Sequence, residues 1–428
     1  MQWEEQQQLE EQQLLFLQEA GFLRKLPTRQ ELEEKYPEAF ADEAMVERLL
    51  AEVEEALKDP AKMYFPGLAA ISYCWLDPDH PDPAARTMRE RWLPVLEWYF
   101  SERVHRNGKV AGFALTFEGS EAELKERSDF AVFIDYGSMC QKNADGTRSD
   151  TEATLFKHAL GSLDIPYAHA GMISFLTTEL PEGCTFDEAA ADAAEAALQQ
   201  AVADGSVKGE LGPPLKVDPD DWNHKLHQAV CIANKFRNYM KRGWPTSERA
   251  LSEMVKPSHH CFDLAGFTVA LADERAKKRD YRVMGEGGGW TPGAAADKDA
   301  YALQRQASYD GTFAPGTLGS VVGGSRRPPL SPAAFAKALA SRRFTNGADS
   351  AVVEELYRKT AEAVLGNTPS LVFDKLSWGE EEWRQLGEAL PLCRKLTVLK
   401  LTKMENLTAD ALRGLNLSAH TALKELDL

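Results

Sequence analysis

Apolar and polar residues alternate with helical spacing along the first part of the chain. In residues 2–58, Leu, Phe and Val recur among Glu and Gln, as in MVERLLAEVEEALKDP (45–60). Recurrence at every third or fourth position is typical of amphipathic helices, and Pro27 and Pro37 interrupt the pattern. We therefore expect residues 1–62 to form an acidic helical lead-in that covers the next domain. A dedicated coiled-coil site for a partner is the alternative.

Between residues 63 and 280, short apolar runs alternate with amphipathic helical patterns. Apolar strands separated by helices are typical of a mostly parallel sheet that helices cover on both faces. The sequence therefore predicts an α/β domain, and ligands in such sheets bind outside the carboxyl ends of the strands. Four runs have the length of buried strands: GLAAISYCW (67–75), VAGFALTF (110–117), FAVFIDYGS (130–138) and GMISFLTTEL (171–180).

Two segments depart from this alternation. Residues 181–221 contain an Ala-rich helical pattern and a Pro/Gly loop, which indicate an insertion in the α/β domain. Residues 281–331 are rich in Gly and Pro without periodicity, which is typical of a linker. Two further helical patterns predict a helical pair at residues 332–366.

A repeat follows at residues 367–428. The segments SLVF, VLKL and ELDL place Leu371, Leu399 and Leu426 at separations of 28 and 27 residues, and a helical pattern lies between the first two. A strand and a helix in each unit resemble the ribonuclease-inhibitor-like class of leucine-rich repeat, for which we expect a protein partner. Because the sequence stops on the strand of a third unit, we expect a truncated solenoid. An unusually exposed end is the alternative.

Composition narrows the location and the partners of the protein. The formal net charge of −17 argues against nucleic acid and anionic membranes, because both are bound by clustered Lys and Arg. Six scattered cysteines suit a reducing compartment. The N-terminus is acidic and Gln-rich, unlike a signal peptide, and no apolar run approaches the ~18 residues of a membrane span. We expect a cytoplasmic protein that binds neither nucleic acid nor membranes.

The sequence contains neither a Walker A motif nor a G-x-S-x-G elbow. Four other segments are therefore the candidates for a functional site. In chain order they are AAISYCWLD, VFIDYGSMCQ, IPYAHAGMISFL and RGWPTSE. Together they resemble the heterokaryon-incompatibility (HET) domain, a relative of the Toll/interleukin-receptor (TIR) fold, over roughly residues 65–255. The matching residues are Ser72, Tyr73, Trp75, Ile134, Asp135, Gln141, Ile165, Tyr167, Ala170, Arg242, Trp244 and Glu248.

The resemblance implies a TIR/flavodoxin-like sheet and gives some of these residues a role. Several TIR domains cleave the nicotinamide–ribose bond of NAD with a glutamate in the helix that follows a Trp, and Glu248 matches that position. The ribose develops oxocarbenium character, which a nearby carboxylate stabilises. NAD would be a substrate rather than a cofactor, and its binding site would be lined by Trp75, Asp135, Ser138 and Trp244. Four other positions of the motifs are structural in this interpretation: Ser72, Tyr73, Gln141 and Arg242.

The sequence departs from the family at Leu76, Ser138 and Cys140, where the family has Gly, Cys and an acidic residue. These departures affect the ligand pocket more than the fold. No metal ligand set and no cofactor motif is predicted.

Glu248 and its neighbours also have a purely structural interpretation. The helix macrodipole favours a glutamate in the first turn of a helix, and Asp135 can cap the segment after a buried strand. Trp75 and Trp244 can be ordinary core residues. Burial would raise the pKa of the Glu248 carboxyl, whereas Arg242 would lower it.

The first functional hypothesis is an intracellular signalling or defence-type protein. Its TIR/HET-like module would act by self-association, and its leucine-rich repeats would bind a protein partner. The second hypothesis is an NAD glycohydrolase with Glu248 as the key carboxylate. The third is a scaffold whose α/β domain only supports the repeats. For an enzyme, we expect Trp75, Asp135 and Glu248 to converge on one open cleft.

Overall fold

The computed structural model describes residues 25–57, 65–76, 80–107, 120–143, 146–181, 188–210, 216–217, 239–266, 326–344 and 349–428. The first 24 residues, the strand predicted at 110–117 and most of the predicted linker lie outside these ranges. Within them the chain has the α/β architecture that the sequence predicts, with two parallel sheets and helices around them. Across these same ranges, no helix is both long and apolar enough to cross a membrane.

Among the residues that the structure describes before the first sheet there are two helices. Helix α1 spans Arg29–Lys35 and α2 spans Glu43–Leu57, with a 3-10 turn at Pro37–Ala39 between them. Helix α1 begins at a capping box, in which the Thr28 hydroxyl accepts the Glu31 amide and the Glu31 carboxylate accepts the Thr28 amide. The break predicted at Pro37 therefore falls between the two helices.

Within the described ranges, four parallel strands form the first sheet, in the spatial order β2-β1-β3-β6. When these four are counted along the chain, the order has the 2-1-3-4 pattern of flavodoxin-like sheets. A short antiparallel pair, β4 and β5, lies apart from this sheet inside the predicted insertion. The strands are β1 (Leu68–Ser72), β2 (Ala131–Phe133), β3 (Ile173–Leu176), β4 (Gly209–Glu210), β5 (Lys216–Val217) and β6 (Cys261–Asp263).

Helices cover both faces of the parallel sheet, as predicted. A π-helical turn at Met88–Trp92 leads into the first of them. The helices of this part of the chain are α3 (Leu93–Asn107), α4 (Glu121–Ser128), α5 (Asp135–Ser138), α6 (Asp150–Gly161), α7 (Asp164–Ala168), α8 (Glu188–Ala203) and α9 (Gly243–Ser252).

Successive residues of β1 face opposite sides of the sheet. Ala69 and Ile71 belong to a cluster with Trp98 of α3, whereas Ala70 belongs to a second cluster with Leu251 of α9. Both faces are therefore buried, which explains why the strand is a continuous apolar run in the sequence.

One strand is shorter than predicted. The run at 130–138 was expected to be extended throughout, but β2 ends at Phe133 and the helical turn α5 begins at Asp135. The Ser138 hydroxyl accepts the Ile134 amide at 3.1 Å, which satisfies a donor that the ladder no longer pairs.

The C-terminal residues form a second parallel sheet from stacked strand–helix units. Its register pairs Leu371 with Leu399 and Leu399 with Leu426, so the predicted spacing of the leucines is the register of the sheet. Gly387 allows the helices of neighbouring units to approach, since a Cβ there would lie 2.7 Å from the Gly414 carbonyl oxygen. The elements are α10 (Pro332–Leu339), α11 (Asp349–Asn367), β7 (Ser370–Asp374), α12 (Glu380–Ala389), β8 (Val398–Thr402), α13 (Ala409–Gly414) and β9 (Glu425–Asp427).

The α/β sheet, the helical pair and the repeats share one hydrophobic core. A single cluster joins Leu251 of α9 to Phe335 of α10, Tyr357 of α11 and Leu371 of β7. The predicted linker therefore does not separate the cores on either side of it.

Arg326 adds a polar connection between the two sheets. Its side chain is 2% exposed and donates to the carbonyl oxygens of Val372 at 2.8 Å and Glu253 at 3.3 Å. The guanidinium also lies over the Phe373 ring, 4.3 Å from its centroid. These contacts connect the residue after α9 to the first strand of the repeats.

Candidate functional site

The candidate site lies at the carboxyl ends of the parallel strands. Strand β1 ends at Ser72, β2 ends just before Asp135, and α9 carries Glu248 over the end of β1. This edge is where open α/β sheets bind ligands.

Glu248 lies in the second turn of α9, not in its first turn as expected. The helix begins at Gly243, with Arg242 as an extended N-cap residue, so Glu248 is too far from the helix N-terminus for a strong macrodipole effect. Pro245 occupies the first turn, where its missing N–H leaves no hydrogen bond unmade.

A chain of hydrogen bonds ends at the Glu248 carboxyl group. Glu248 is 6% exposed and its Oε2 accepts the Ser72 hydroxyl. The Ser72 Oγ also lies 2.6 Å from the Tyr239 hydroxyl. Because Ser72 has a single hydroxyl hydrogen, Tyr239 donates to Ser72 and Ser72 donates to Glu248. The order of the chain is therefore Tyr239, Ser72, Glu248.

Burial raises the pKa of the Glu248 carboxyl to about 8. The charge of Asp135 contributes to this raised value, and the hydrogen bond from Ser72 lowers the pKa of the carboxyl group. Glu248 is therefore largely neutral at pH 7. Burial and the nearby carboxylates also raise the pKa of the Tyr73, Tyr167 and Tyr239 hydroxyls well above the usual value.

Asp135 is the second carboxyl group of the site. It is partly buried, and its Oδ1 accepts the Tyr73 hydroxyl and the Tyr136 amide, each at 2.6 Å. Burial raises its pKa, while both hydrogen bonds lower it. Asp135 lies close enough to Glu248 for its charge to disfavour ionisation of the Glu248 carboxyl group. The hydrogen bond from the Tyr136 amide agrees with the capping role that the structural interpretation gives to Asp135.

Trp75 and Arg242 join the end of β1 to the start of α9. The Arg242 guanidinium donates to the Trp75 carbonyl oxygen at 2.9 Å. The Trp75 ring is partly exposed and meets the Tyr136 ring edge to face, with centroids 5.7 Å apart. Trp75, Asp135 and Glu248 thus lie at one edge of the sheet, but Glu248 itself is covered.

Ser138 and Trp244 do not line a shared binding pocket. The Ser138 hydroxyl holds its own helical turn, and its carbonyl oxygen accepts Arg29 at 2.9 Å. The Trp244 indole donates to the Asp349 carboxylate at 3.0 Å and packs with the helical pair. Gln141 donates to the Tyr136 and Met139 carbonyl oxygens and so closes the loop after β2.

Several polar residues of the site were not predicted. Tyr239 had no motif to mark it, although it lies just before the RGWPTSE segment. Tyr167 donates to the Ile71 carbonyl oxygen at 3.0 Å and was matched only as part of a motif. Arg249 forms an ion pair with Glu253 at 2.9 Å, and its Nη1 lies 3.8 Å from the Asp263 carboxylate.

Lys256 lies fully buried just beyond α9. Its ammonium group donates to the carbonyl oxygens of His169 at 2.9 Å, Met172 at 2.8 Å and Pro166 at 3.4 Å. Burial lowers the pKa of this lysine to about 7. Lys256 therefore ties the segment before β3 to the end of α9 without a carboxylate partner in its hydrogen bonds.

The described part of the chain contains no group of three or more His, Cys, Asp or Glu side chains that could hold a metal ion. No protein-family model, curated protein or solved structure matches the chain. The likeness to the HET and TIR families and to leucine-rich repeats therefore stays a prediction from the sequence.

Chemically, the site offers a neutral, buried carboxyl group beside a partly buried aspartate. An acid with a pKa near 8 can donate a proton at neutral pH, which is the property of a general acid. A general acid must also reach its substrate. The 6% exposure of Glu248 leaves it facing Ser72 instead.

Proposed function

We propose that the chain is a cytoplasmic signalling or defence-type protein whose TIR/HET-like module works by self-association rather than by catalysis. The observation that carries this proposal is the buried hydrogen bond between Ser72 and Glu248. It gives the motif glutamate a structural partner and holds α9 against the end of β1.

Other motif residues support the same interpretation. Tyr73 donates to Asp135, Arg242 donates to the Trp75 carbonyl oxygen, and Gln141 donates to two carbonyl oxygens of its own loop. A buried polar group without a partner costs about 1–3 kcal/mol, so such pairing is what the fold requires. The motif spacing then reflects how the strands and α9 are held together.

The repeats are proposed to bind a protein partner through the outer face of their sheet. Val372, Lys400 and Asp427 form one row across the three strands, because the register pairs each with the next. The opposite face is filled by side chains that are 0% exposed, such as Leu371, Phe373 and Leu399. The outer row is therefore not needed for the core.

An NAD glycohydrolase is the second candidate. The observation that favours it is the raised pKa of Glu248, about 8, in a polar centre shared with Asp135 at the ligand-binding edge of the sheet. Most enzymes that cleave a glycosidic bond use two carboxyl groups that lie in different surroundings.

One experiment separates the two candidates. Purified protein is studied by sedimentation velocity over a range of concentrations, and NAD consumption is followed under the conditions where it assembles. The proposal predicts concentration-dependent self-association without NAD consumption. Consumption that is lost in Glu248→Gln but kept in Glu123→Gln, a surface carboxyl on α4, supports the glycohydrolase instead. A chain that stays monomeric at every concentration contradicts the proposed self-association.

A further inference from the structure

Arg342 lies three residues after the end of α10 and carries a nitrogen that no hydrogen bond satisfies. Its Nε is buried, and within the described part of the chain no acceptor lies in hydrogen-bonding distance of it. Such a donor is unfavourable, because folding removes its hydrogen bond to water and supplies none in return. A ligand that brings an acceptor oxygen to this place would satisfy the atom.

The Arg342 side chain is not needed to cap α10. A cation near the end of a helix can donate to its last carbonyl groups. In α10, however, other donors serve them: the Ser341 hydroxyl donates to the Ala338 carbonyl oxygen at 3.1 Å, and the backbone amide of Arg342 donates to that of Leu339 at 2.8 Å. The guanidinium group therefore remains available for a ligand.

A second guanidinium group, that of Arg327, lies near the first. Burial lowers the pKa of the Arg342 guanidinium, and the positive charge of Arg327 also lowers it, so the two groups are close to each other. Neither of them forms an ion pair with a residue that the structure describes. By contrast, Arg343 pairs with Glu195 at 2.5 Å. Two neighbouring cations without a carboxylate are unusual in a chain with a net charge of −17.

The backbone on both sides of this arginine pair is held in place. Arg327 follows Arg326, which is fixed between the two sheets, and precedes two buried prolines at 328–329, which restrict the backbone. Near the second guanidinium, the Arg343 amide donates to the Lys241 carbonyl oxygen at 2.9 Å. The fold therefore brings the two positive charges together before any ligand binds, which lowers the cost of binding an anion.

We propose that Arg327 and Arg342 form a binding site for a phosphate monoester group. At neutral pH such a group carries about two negative charges, which matches the two guanidinium groups, whereas one carboxylate would leave a positive charge uncompensated. Arginine also binds phosphate oxygens through two parallel N–H groups. The phosphate belongs either to a small molecule, such as a nucleotide, or to a phosphorylated side chain. The site does not rest on the proposed function.

The test uses the full chain and isothermal titration calorimetry at about pH 7.5, where phosphate is mostly a dianion, and at constant ionic strength. Inorganic phosphate should bind saturably with a dissociation constant of about 1 mM or lower, and acetate should bind at least about tenfold more weakly. A nucleoside monophosphate and a phosphoserine peptide are then titrated, each beside its form without phosphate. These two probes distinguish the sources of the phosphate group.

Variants of the chain locate the contact. Arg327→Gln should weaken phosphate binding by about tenfold or more at an unchanged melting temperature, because the side chain is exposed. Arg342→Lys keeps the charge but removes the planar guanidinium, and should weaken binding by about fivefold or more. The matched control is Arg394→Gln, which makes the same change in net charge at an exposed position of the repeats and should leave binding unchanged.

The proposal is wrong if inorganic phosphate shows no saturable binding below about 10 mM, or if acetate binds as tightly. It is also wrong if Arg327→Gln weakens binding no more than Arg394→Gln does. Tighter binding of the nucleoside monophosphate than of the phosphopeptide assigns the phosphate to a small molecule, and the reverse order assigns it to a partner protein. Equal affinities for the two probes show that the phosphate group alone is recognised, as proposed.

Discussion

Ser72 and Glu248 are 176 positions apart in the chain, yet the hydroxyl of one donates to the carboxyl group of the other inside the protein. This contact joins the end of β1 to the second turn of α9. Because Glu248 is 6% exposed, removing the contact should alter stability before it alters any chemistry.

Truncating Glu248 should therefore destabilise the protein. Glu248→Ala leaves Ser72 without its acceptor and opens a cavity, and we expect the free energy of unfolding to fall by about 2–4 kcal/mol. Glu248→Gln keeps an acceptor oxygen and nearly the same shape, so its loss should be about 1 kcal/mol or less. Urea denaturation at pH 7 measures both. Equal losses in the two variants would contradict a structural hydrogen bond.

The pH dependence of stability provides a second prediction. Since the pKa of Glu248 is raised from 4.5 to about 8 in the folded protein, the folded state keeps a proton that the unfolded state releases. The free energy of unfolding should fall as pH rises from about 4.5 to 8, with a slope of up to about 1.4 kcal/mol per pH unit from this group. Comparison with Glu248→Gln isolates the effect. A constant difference between the two proteins from pH 5 to 8 would show that Glu248 is already ionised.

Lys256 should give the opposite dependence at higher pH. Its pKa is lowered from 10.5 to about 7, so between these values the unfolded state binds the extra proton and stability should rise with pH. Lys256→Met removes the donor from three carbonyl oxygens and should cost about 1–3 kcal/mol at pH 7. The stability of the wild type relative to Lys256→Met should grow from pH 7 to 10. A difference that shrinks over this range would refute the lowered pKa.

Gly243 at the start of α9 should not tolerate a side chain. A Cβ there would lie 1.9 Å from Cζ of Phe344, so Gly243→Ala should lose about 1–3 kcal/mol despite the better helix propensity of alanine. The matched control is Gly161→Ala in α6, where no atom lies within 4 Å of the added Cβ. Phe344→Leu should partly rescue Gly243→Ala. Thermal unfolding of the four variants measures the interaction, and an additive double variant would contradict the clash.

The repeats could be predicted from sequence because one residue type recurs at a fixed interval. Leu371, Leu399 and Leu426 lie in register across β7, β8 and β9, and their spacing alone fixes which strands pair. The strands β1 and β3 were recognised for a related reason, since burial on both faces makes them continuous apolar runs. Strand β6 was missed because it has only three residues, Cys261–Asp263, directly after two histidines.

The site was predictable only in part. The four segments indicated that Trp75, Asp135 and Glu248 lie together, and the structure places them at one edge of the sheet with Glu248 covered. The role of Tyr239 could not be predicted, because its partner Ser72 lies 167 residues away and no local pattern marks the pair. The prediction that Glu248 lies in the first turn of its helix was also wrong, because the start of a helix depends on N-cap geometry that tertiary contacts decide.

NAD consumption by the purified protein shows whether the buried carboxyl group of Glu248 acts on a substrate or only accepts a hydrogen bond from Ser72. Purified wild-type protein, Glu248→Gln and Ser72→Ala are compared at equal concentration, with the melting temperature of each recorded. We expect no NAD consumption by any of the three proteins and a lower melting temperature for Ser72→Ala. Steady consumption by the wild type that Glu248→Gln abolishes at an unchanged melting temperature would contradict it.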